Sequence, residues 1–474
     1  MTAMTNALDL KLDRSAKPSL AEQIQLGIAN AIHEGVLSPG ARLPSWQDLA
    51  TQLGVARGTV RIAYEKLAAA QLVVASRASG TRVAPRPSAH GALAEPVDAG
   101  PFIATYEEMI RGPAHFQMGV PALDIFPATL LSRLRGRAVR AEASAPPLYP
   151  DPRGEPELRR EIAAYLAVAR GISCAASQVI ITAGFAGGLG LALHVLRLAG
   201  CKAWMEDPGF PWSRKALELA GLSLAPIPVD KDGIDLDHGL RVHGDAKLAL
   251  VTPGQQAPLG GALSLDRRLR LLEWASSENA WVVEDDYLSE LQLSGRAAPA
   301  LASLDRGGRV IHIGSFSKTI SPGLRLGFVV APVELVSRFA ETAACLAPPP
   351  GPSLQWAIAD FIREGHYIRH LRRTKRAYAA RRQAVMERLR TLVPGDQLAT
   401  AGLSVMLRLP ESISDVRLAT EASSFGVSPT PLSPWYASTD GAKSALLLGV
   451  ATAPTRHLDR ICERLVGSIQ GSPN

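Results

Sequence analysis

The sequence contains few of the residues on which disulfide-bonded, zinc-stabilised or secreted proteins depend. Only four cysteines occur among 474 residues, and they stand far apart with no CxxC pair and no cysteine–histidine cluster. This spacing argues against a disulfide framework and a structural zinc site, and it fits a reducing compartment. The first 14 residues lack the apolar segment of a secretory signal. We therefore expect a cytoplasmic protein without a bound metal.

Long uncharged runs are also scarce, and only one is long enough to cross a bilayer. Gly171 to Leu196 contains no Asp, Glu, Lys or Arg, yet it holds five glycines as well as Ser, Gln, Thr and His. That composition predicts a buried strand, a glycine loop and a helix. We expect no association with a membrane.

Charge is modest in total but unevenly placed. Lys and Arg number 51 against 44 Asp and Glu, which gives a net charge of +7, and 47% of the residues are hydrophobic. These values are typical of a globular protein. Residues 363–390 alone carry ten basic side chains against two acidic ones. The segment predicts a long helix with a solvated basic face, or alternatively a nucleic-acid contact.

The composition changes in residues 85–114, which separate a small module from a large one. This segment holds five prolines and shows no sustained helical or strand period, so it predicts an exposed interdomain linker. Residues 1–84 then form the first domain and residues 115–474 the second. The length of the chain is consistent with this division.

Capping residues and helical spacing predict three helices in residues 1–84. Capping boxes begin helices at Ser19 and Ser45, Gly35 ends the first helix, and a third helix begins near Arg57 after Gly54. Two short runs around a polar loop then predict a β-hairpin, or wing. The residues of the third helix that we expect to face the core are Val60, Ala63, Tyr64 and Leu67. In such an arrangement the third helix enters the major groove of DNA.

The motifs of this module resemble the winged helix-turn-helix of the GntR regulator family. The matching residues are Leu43-Pro44-Ser45, Leu49-Ala50, Leu53-Gly54-Val55, Arg57, Thr59-Val60, Ala63-Tyr64, Leu67 and Ser79-Gly80-Thr81. The resemblance implies that the module binds double-stranded operator DNA, and a protein-interaction winged helix is the alternative. The residues expected to contact DNA are Ser45, Arg57, Thr59, Arg61, Arg77, Gly80, Thr81 and Arg82. Gln47 departs from the family, which usually has an Arg that reaches a phosphate there.

From about residue 115, short β-branched runs alternate with helical stretches. The runs predict strands at 179–182, 203–206, 248–251, 281–284, 310–313 and 326–330. Such alternation predicts an α/β fold with a mostly parallel sheet covered by helices. After residue 345, the long basic helix and strands at 403–409 and 445–450 predict a smaller α+β C-terminal lobe.

A lysine at the end of a predicted strand is the candidate reactive group. Lys318 follows Ser315 and Ser317, and Arg325 lies seven residues beyond it. An amine between small hydroxyl residues suits a phosphorylated aldehyde cofactor, because the amine forms a Schiff base while the hydroxyls and a guanidinium hold the phosphate. Asp285 ends another strand, where a carboxylate can keep a pyridine nitrogen protonated. A polar strand end with a capping Asp is the alternative.

Other segments occur in the order that such a site requires. The segment Gly184-Phe185-Ala186 lies between a strand and a helix, so its backbone N–H groups can hold a phosphate. Phe210 stands in a loop where its ring can stack on a pyridine, or it is a core aromatic. Tyr149 precedes the sheet, where it is otherwise a turn residue. We interpret the ordered set as a cofactor site.

The set resembles the fold-type-I aminotransferases that use pyridoxal 5′-phosphate (PLP), over about residues 115–474. A GntR winged helix joined to such a domain is the architecture of the MocR subfamily of transcription regulators. The resemblance implies that Lys318 forms the Schiff base, Asp285 lies at the pyridine nitrogen, Tyr287 at the 3′-oxygen and Phe210 on the ring. Around the phosphate it places Gly184, Phe185, Ser315, Ser317 and Arg325, with Tyr149 reaching the phosphate of the partner subunit. It also implies a homodimer, often with the winged helix swapped onto the partner.

Several residues depart from the catalytic relatives. Ala186 replaces a common polar residue, and Ala257 and Leu259 stand where those relatives carry an Asn-Pro-Thr-Gly segment. Leu447 stands where they carry the Arg that binds the α-carboxylate of the substrate. The sequence therefore predicts that the site keeps its cofactor contacts and loses affinity for amino acids.

Three functions are compatible with these observations. The first is a regulator that senses PLP or another B6 vitamer, with vitamin B6 metabolism as a candidate target, or senses an amino acid or amine through PLP. The second is an active aminotransferase with an accessory DNA-binding domain, and the third is a DNA-binding protein with an inert dimerisation scaffold. Lys318 argues against the third and Leu447 against the second. We therefore expect a PLP-sensing regulator with weak or no transaminase activity.

Overall fold

The computed structural model describes residues 10–76, 80–85, 100–110, 112, 114–293, 295 and 298–470. The chain divides into two compact units, residues 1–108 and 109–474, and each is described by itself. The predicted DNA contact at Arg77 lies outside the described residues.

The first unit contains three helices and a two-stranded wing, as the sequence predicts. The elements are α1 (Leu20–His33), α2 (Trp46–Leu53), α3 (Arg57–Ala69), β1 (Val73–Ser76) and β2 (Gly80–Val83). The four residues predicted to face the core from α3 are buried, and they pack with Ile24, Ile28 and Leu49 of the other helices. Ser19 forms the predicted capping box with Glu22. At Ser45 the hydroxyl accepts from the Asp48 amide, but the Asp48 carboxylate accepts from that hydroxyl rather than from the Ser45 amide.

The predicted linker contains a helix that the sequence analysis did not anticipate. This helix, α4 (Pro101–Ile110), begins with a proline, whose fixed φ suits the first turn of a helix.

The second unit is built on an eight-stranded sheet. Its strands are β3 (Val179–Thr182), β4 (Lys202–Asp207), β5 (Ser223–Asp230), β6 (Gly233–Ile234), β7 (Leu248–Val251), β8 (Trp281–Asp286), β9 (Val310–Ser315) and β10 (Gly327–Val330). The strand order is β3-β10-β9-β8-β7-β4-β5-β6. Strands β9, β8, β7, β4 and β5 pair in parallel, while β10 is antiparallel to both of its neighbours. The predicted mostly parallel sheet is confirmed.

Helices cover this sheet and extend into a smaller C-terminal lobe. They are α5 (Ala128–Ser144), α6 (Pro156–Ala169), α7 (Gly184–Leu196), α8 (Pro211–Leu219), α9 (Leu236–His243), α10 (Leu265–Ser277), α11 (Val336–Leu346), α12 (Pro352–Arg363), α13 (His366–Arg390), α14 (Asp415–Ser423) and α15 (Leu458–Gln470). The lobe adds an antiparallel sheet of β11 (Leu398–Ala401), β12 (Ser404–Arg408), β13 (Thr430–Pro431) and β14 (Ala445–Gly449), in the order β11-β12-β14-β13. The predicted α+β lobe is confirmed.

The structure shows what the long uncharged run forms, and it contains a strand that the sequence does not predict. The uncharged run from Gly171 to Leu196 forms β3 and α7, and both are mostly buried in the unit. Strand β5 was not predicted, because Pro226 and Pro228 interrupt its sequence. Among the described residues, none of the helices combines the length and the apolar character that a membrane span needs.

Candidate functional site

Three strands bring the predicted phosphate-binding residues to one edge of the large sheet. Strands β3 and β9 end at this edge, and the antiparallel β10 begins there, so Gly327 is the register partner of both Thr182 and Ser315. Arg325 lies just before β10 and Gly184 just after β3. A Cβ atom at Gly184 would lie 3.8 Å from the Arg325 guanidinium. The directions of the three strands therefore place the Arg325 guanidinium beside the first turn of α7.

The backbone at this edge is arranged to hold an anion. Gly184 begins α7 with φ +76°, which favours glycine, and a Cβ on Gly327 would come within 2.9 Å of the Gly184 Cα. The Ser315 hydroxyl accepts from the Ser317 amide at 3.1 Å and donates to the Ser317 hydroxyl at 3.0 Å. Helix N-terminal amides, hydroxyls and a guanidinium are the groups that bind a phosphate dianion. We call these residues the phosphate cradle: Gly184, Ser315, Ser317 and Arg325.

Lys318 follows the phosphate cradle, and its side chain is half-buried. The Nζ atom donates to the carbonyl oxygen of Gly119 at 2.6 Å. Burial lowers the pKa of the Lys318 amine, the nearby Arg325 lowers it further, and the Asp285 carboxylate opposes the shift. A lowered pKa increases the fraction of neutral amine near neutral pH, and the neutral amine is the form that attacks an aldehyde.

Asp285 lies one residue before the end of β8, where its charge interacts with the Lys318 amine, and Tyr287 directly follows the strand and interacts with Asp285. Burial raises the pKa of the Asp285 carboxyl well above its usual value, and the charges of Asp286 and Glu206 add to this effect. Burial likewise raises the pKa of the Tyr287 phenol, which contacts the side chain of Gln255. The Asp285 carboxyl can accept a hydrogen bond from a pyridinium N–H, whose positive charge would offset the cost of its burial. Asp285 and Tyr287 therefore suit the pyridine ring of PLP, as the phosphate cradle suits its phosphate.

Side chains alternate between the two faces of the sheet along β8, so Asp285 points to one face and its neighbours Glu284 and Asp286 point to the other. Glu284 accepts from the amides of Leu301 and Ala302 and lies 2.9 Å from His312 Nδ1. Asp286 forms a buried ion pair of 2.8 Å with Arg170. Successive side chains of a strand point to opposite faces, so these acids support the sheet from the other face. This network is not apparent from the sequence, because Arg170 and His312 are distant from these acids along the chain.

Glu206 is a functional candidate that the sequence analysis missed. It lies next to the end of β4, and its carboxyl accepts from the Thr252 amide at 3.1 Å and from the Thr252 hydroxyl at 2.5 Å. Burial raises the pKa of Glu206 to about 7, and its charge raises the pKa of Asp285 and Tyr287. The available signal was an acid at the carboxyl end of a buried strand, next to the predicted loop that carries Phe210.

Glu206→Gln should increase stability at alkaline pH but not at acidic pH. The folded state holds the Glu206 proton more tightly than the unfolded state, so the stability of the wild type falls as pH rises from about 4.5 to about 7. The variant lacks this loss, which amounts to roughly 3 kcal/mol for a shift of this size. The measurement is the free energy of unfolding of the apoprotein at pH 5 and pH 8.

The matched control for that variant is Glu273→Gln, on the exposed face of α10. The control should follow the wild type at both pH values. A Glu206→Gln protein whose difference from the wild type is the same at pH 5 and pH 8 would contradict the raised pKa.

The remaining predicted cofactor residues occupy different surroundings. The Phe210 ring lies 5.7 Å from the Trp435 ring and 6.3 Å from the Trp212 ring. Phe185 packs against the core beneath α7, and Ala186 is exposed. Tyr149 is fully exposed and the structure does not place it with the phosphate cradle of its own chain. Its predicted contact with the partner subunit stays a prediction.

The predicted DNA contacts of the first unit lie around the start of α3 and on the wing. Arg57 and Arg61 are exposed, and Arg61 forms a 3.7 Å ion pair with Glu65. Arg82 is exposed on β2, while Gly80 and Thr81 are partly buried there. The remaining predicted contacts are the partly buried Thr59 and the exposed Ser45, whose hydroxyl caps α2. The exposed guanidinium groups can reach phosphates or base edges.

Comparisons with known proteins assign each unit to a family. Residues 20–83 match the family "Bacterial regulatory proteins, gntR family", and residues 119–465 match "Aminotransferase class I and II". The chain is 35% identical to the "Probable rhizopine catabolism regulatory protein MocR" of Rhizobium meliloti, over 90% of this chain and 88% of that protein. The chain belongs to the MocR-type GntR regulators. It is also 33% identical to the "HTH-type pyridoxine biosynthesis transcriptional regulator PdxR" of Corynebacterium glutamicum, over 93% of this chain and 94% of that protein.

Solved structures resemble the second unit of this MocR-type regulator. One is LysN, an α-aminoadipate aminotransferase from Thermus thermophilus complexed with N-(5′-phosphopyridoxyl)-L-leucine. It is 28% identical with a TM-score of 0.69, and the match covers 77% of this chain and 94% of that chain. A kynurenine aminotransferase from Pyrococcus horikoshii, at 24% identity and a TM-score of 0.70, shares the fold over 78% of this chain and 94% of its own. The family and the LysN complex support PLP as the cofactor.

In this MocR-type regulator, Leu447 lies in an apolar environment. The residue is fully buried in β14, and it packs in a cluster of hydrophobic side chains that we call the Leu447 cluster: Met118, Leu259, Ala401, Met406, Leu432, Trp435, Tyr436 and Ala445. Met118 precedes Gly119, the residue whose carbonyl accepts from Lys318 Nζ. The apolar cluster is therefore adjacent to the candidate reactive amine. Within the described ranges, no group of three or more His, Cys, Asp and Glu side chains is placed to hold a metal ion.

Proposed function

We propose that this regulator holds PLP at Lys318, and that PLP or another B6 vitamer is the ligand that changes its affinity for operator DNA. The observation that carries the proposal is the contrast between the phosphate cradle and the Leu447 cluster. The phosphate cradle, together with Lys318, Asp285 and Tyr287, offers groups for the phosphate, the aldehyde and the ring. The Leu447 cluster is apolar, and the resemblance to aminotransferases implies that an amino acid would need a cation there. Vitamin B6 metabolism is the corresponding candidate process.

The roles of the side chains follow from their chemistry. When bound, PLP supplies an aldehyde and an electron-withdrawing ring. Lys318 provides the amine that holds the aldehyde, and the phosphate cradle, with the backbone of Phe185 and Ala186, binds the phosphate. Asp285 accepts from the ring nitrogen and Tyr287 donates to the 3′-oxygen. Phe210 covers the ring, and Tyr149 binds the phosphate held by a partner subunit in a homodimer.

The first unit provides the operator contacts. Residues 1–84 form the DNA-binding domain, residues 85–114 the linker, and residues 115–474 the PLP-binding and dimerisation domain. Arg57, Thr59 and Arg61 face the major groove from α3, and the wing carries further contacts. A dimer of such domains reads two half-sites, direct or inverted, so a DNase footprint should show a pair.

The name of one relative agrees with this assignment. PdxR of Corynebacterium glutamicum is described as a pyridoxine biosynthesis transcriptional regulator, and it covers nearly the whole chain. A second candidate effector is an amine that lacks a carboxylate, because the Leu447 cluster accommodates an apolar substituent without the cost of burying an anion. Such a ligand would react at the same Lys318 site.

The experiment that tests the proposal is a titration of operator DNA with apoprotein and with PLP-loaded protein. A ligand shifts an equilibrium between two conformations only as far as its affinities for them differ. A PLP-dependent change in DNA affinity therefore supports the proposal, and equal affinities contradict it.

A further inference from the structure

The segment before α2 pairs with strand β2 of the wing through an isolated β-bridge. The Leu43 amide donates to the Thr81 carbonyl at 2.9 Å, and the Val83 amide donates to the Ala41 carbonyl at 2.9 Å. These bonds flank an antiparallel bridge between Arg42 and Arg82. The two arginines thus form a non-hydrogen-bonded pair, the arrangement in which opposite Cα atoms are only about 4.5 Å apart.

This arginine pair lies on the exposed face of the wing. Leu43, Val73 and Val83 are buried on its other face, whereas Arg42 and Arg82 are exposed. Strand alternation fixes this division, so the two positive side chains must emerge side by side. Like charges directly opposite one another destabilise a sheet.

The arginine pair has no acidic partner in the described part of the first unit. The ion pairs seen in these residues join Arg61 to Glu65 and Lys66 to Glu22. In the described part of the unit, neither Arg42 nor Arg82 is paired with a carboxylate. Exposed guanidinium groups without a carboxylate partner are available to bind an external anion.

The positions of the guanidinium groups show where that anion would lie. The Arg42 guanidinium lies over Gly80, where a Cβ atom would be 3.4 Å from its Nε. The Arg82 Nη1 atom donates in the other direction, to the Gly40 carbonyl at 2.8 Å. The two groups therefore extend along the sheet in opposite directions and can contact two different phosphates of one strand.

We propose that Arg42 binds one phosphate of the operator backbone and that Arg82 binds a neighbouring phosphate, so that the wing makes two backbone contacts. Arg42 provides the charge that Gln47 does not provide. The inference rests on the proposed DNA-binding function of this unit. It adds a contact that fixes the position of the wing but reads no base.

Salt-dependent binding of the full-length protein to operator DNA and to random-sequence DNA tests this role. In Arg42→Gln, the slope of log affinity against log salt should fall by about 0.9, the value for one phosphate neutralised. The loss of affinity should be the same on both DNAs, because a phosphate contact carries no sequence information. Between 50 and 200 mM salt, the ratio of wild-type to variant affinity should change about threefold.

Arg42→Lys and Lys17→Ala are the matched variants. Arg42→Lys retains the charge and should keep the wild-type slope, and Lys17→Ala removes an exposed charge outside α3 and the wing and should also keep it. Arg42→Gln should keep the melting temperature of the wild type, because Arg42 is an exposed surface residue. Operator binding by the wild type with a steep salt slope, combined with an unchanged slope in Arg42→Gln or an equal fall in Lys17→Ala, overturns this inference alone. Wild-type protein that binds no operator contradicts the proposed function instead.

Discussion

Lys318→Ala protein mixed with PLP should show none of the visible absorption that the wild type gains, because the variant lacks the amine that holds the aldehyde. The other groups at the site remain, so the variant should still bind PLP, but reversibly and with lower affinity. Its fold should persist, since the one hydrogen bond of the Lys318 amine within the described residues is the bond to Gly119. A difference spectrum of PLP-loaded protein and a thermal unfolding curve measure both outcomes.

Lys215→Ala is the matched control for this prediction. The Lys215 side chain is 43% exposed and forms a surface ion pair of 3.1 Å with Glu218, so its removal should change neither the spectrum nor the melting temperature appreciably. Borohydride reduction followed by peptide mapping identifies the modified lysine. A reduced adduct on another lysine, or a full visible band in Lys318→Ala, would show that Lys318 is not the reactive residue.

An amine should bind the PLP-loaded protein at least tenfold more tightly than the amino acid that carries the same side chain. A carboxylate that enters the Leu447 cluster loses its water without gaining a guanidinium partner. A hydrogen bond to a charged group is worth about 1.5–3 kcal/mol, which corresponds to roughly ten- to a hundredfold in affinity. Titration with leucine and with 3-methylbutylamine, followed by the visible spectrum, compares the two directly.

Leucine methyl ester is the control ligand, because it retains the size of the carboxyl group without its charge. The ester should bind more like the amine than like the amino acid. Tighter binding of leucine than of the amine would mean that another guanidinium replaces the missing one. Arg382 is the residue to change in that case, since its Nη1 donates to the Gly402 carbonyl at 3.4 Å, next to Ala401 of the cluster.

The sequence predicted the parts of the fold and the site in which a local pattern of apolar and polar residues is compatible with only one buried face. The buried face of α3 and the strands around Lys318 follow from periodicity, since each apolar run can bury its side chains in one way. Gly184, Ser315 and Arg325 lie close together because each is at or next to the end of a strand, and these strand ends meet on one side of the sheet. The sequence showed their order, but only the antiparallel direction of β10 explains why Arg325 reaches the same edge as Gly184.

The features that the sequence did not reveal depend on contacts between distant residues. The raised pKa of Glu206 results from its burial against Thr252, 46 residues away. The arginine pair of the wing depends on a bridge between residues 42 and 82. The apolar surroundings of Leu447 combine side chains from several parts of the chain, from Met118 to Ala445. No local pattern encodes such contacts.

Operator affinity of the apoprotein and of the PLP-loaded protein, each with and without a panel of amino acids and amines, tests the central claim most directly. The account predicts that PLP alone changes the affinity by about tenfold, within the range of ordinary coupling between two ligand sites, and that amino acids change it little. Lys318→Ala should lose most of this response while it still binds operator DNA. Equal operator affinity of the apo and PLP-loaded forms, together with a large shift caused by one amino acid, would contradict the account.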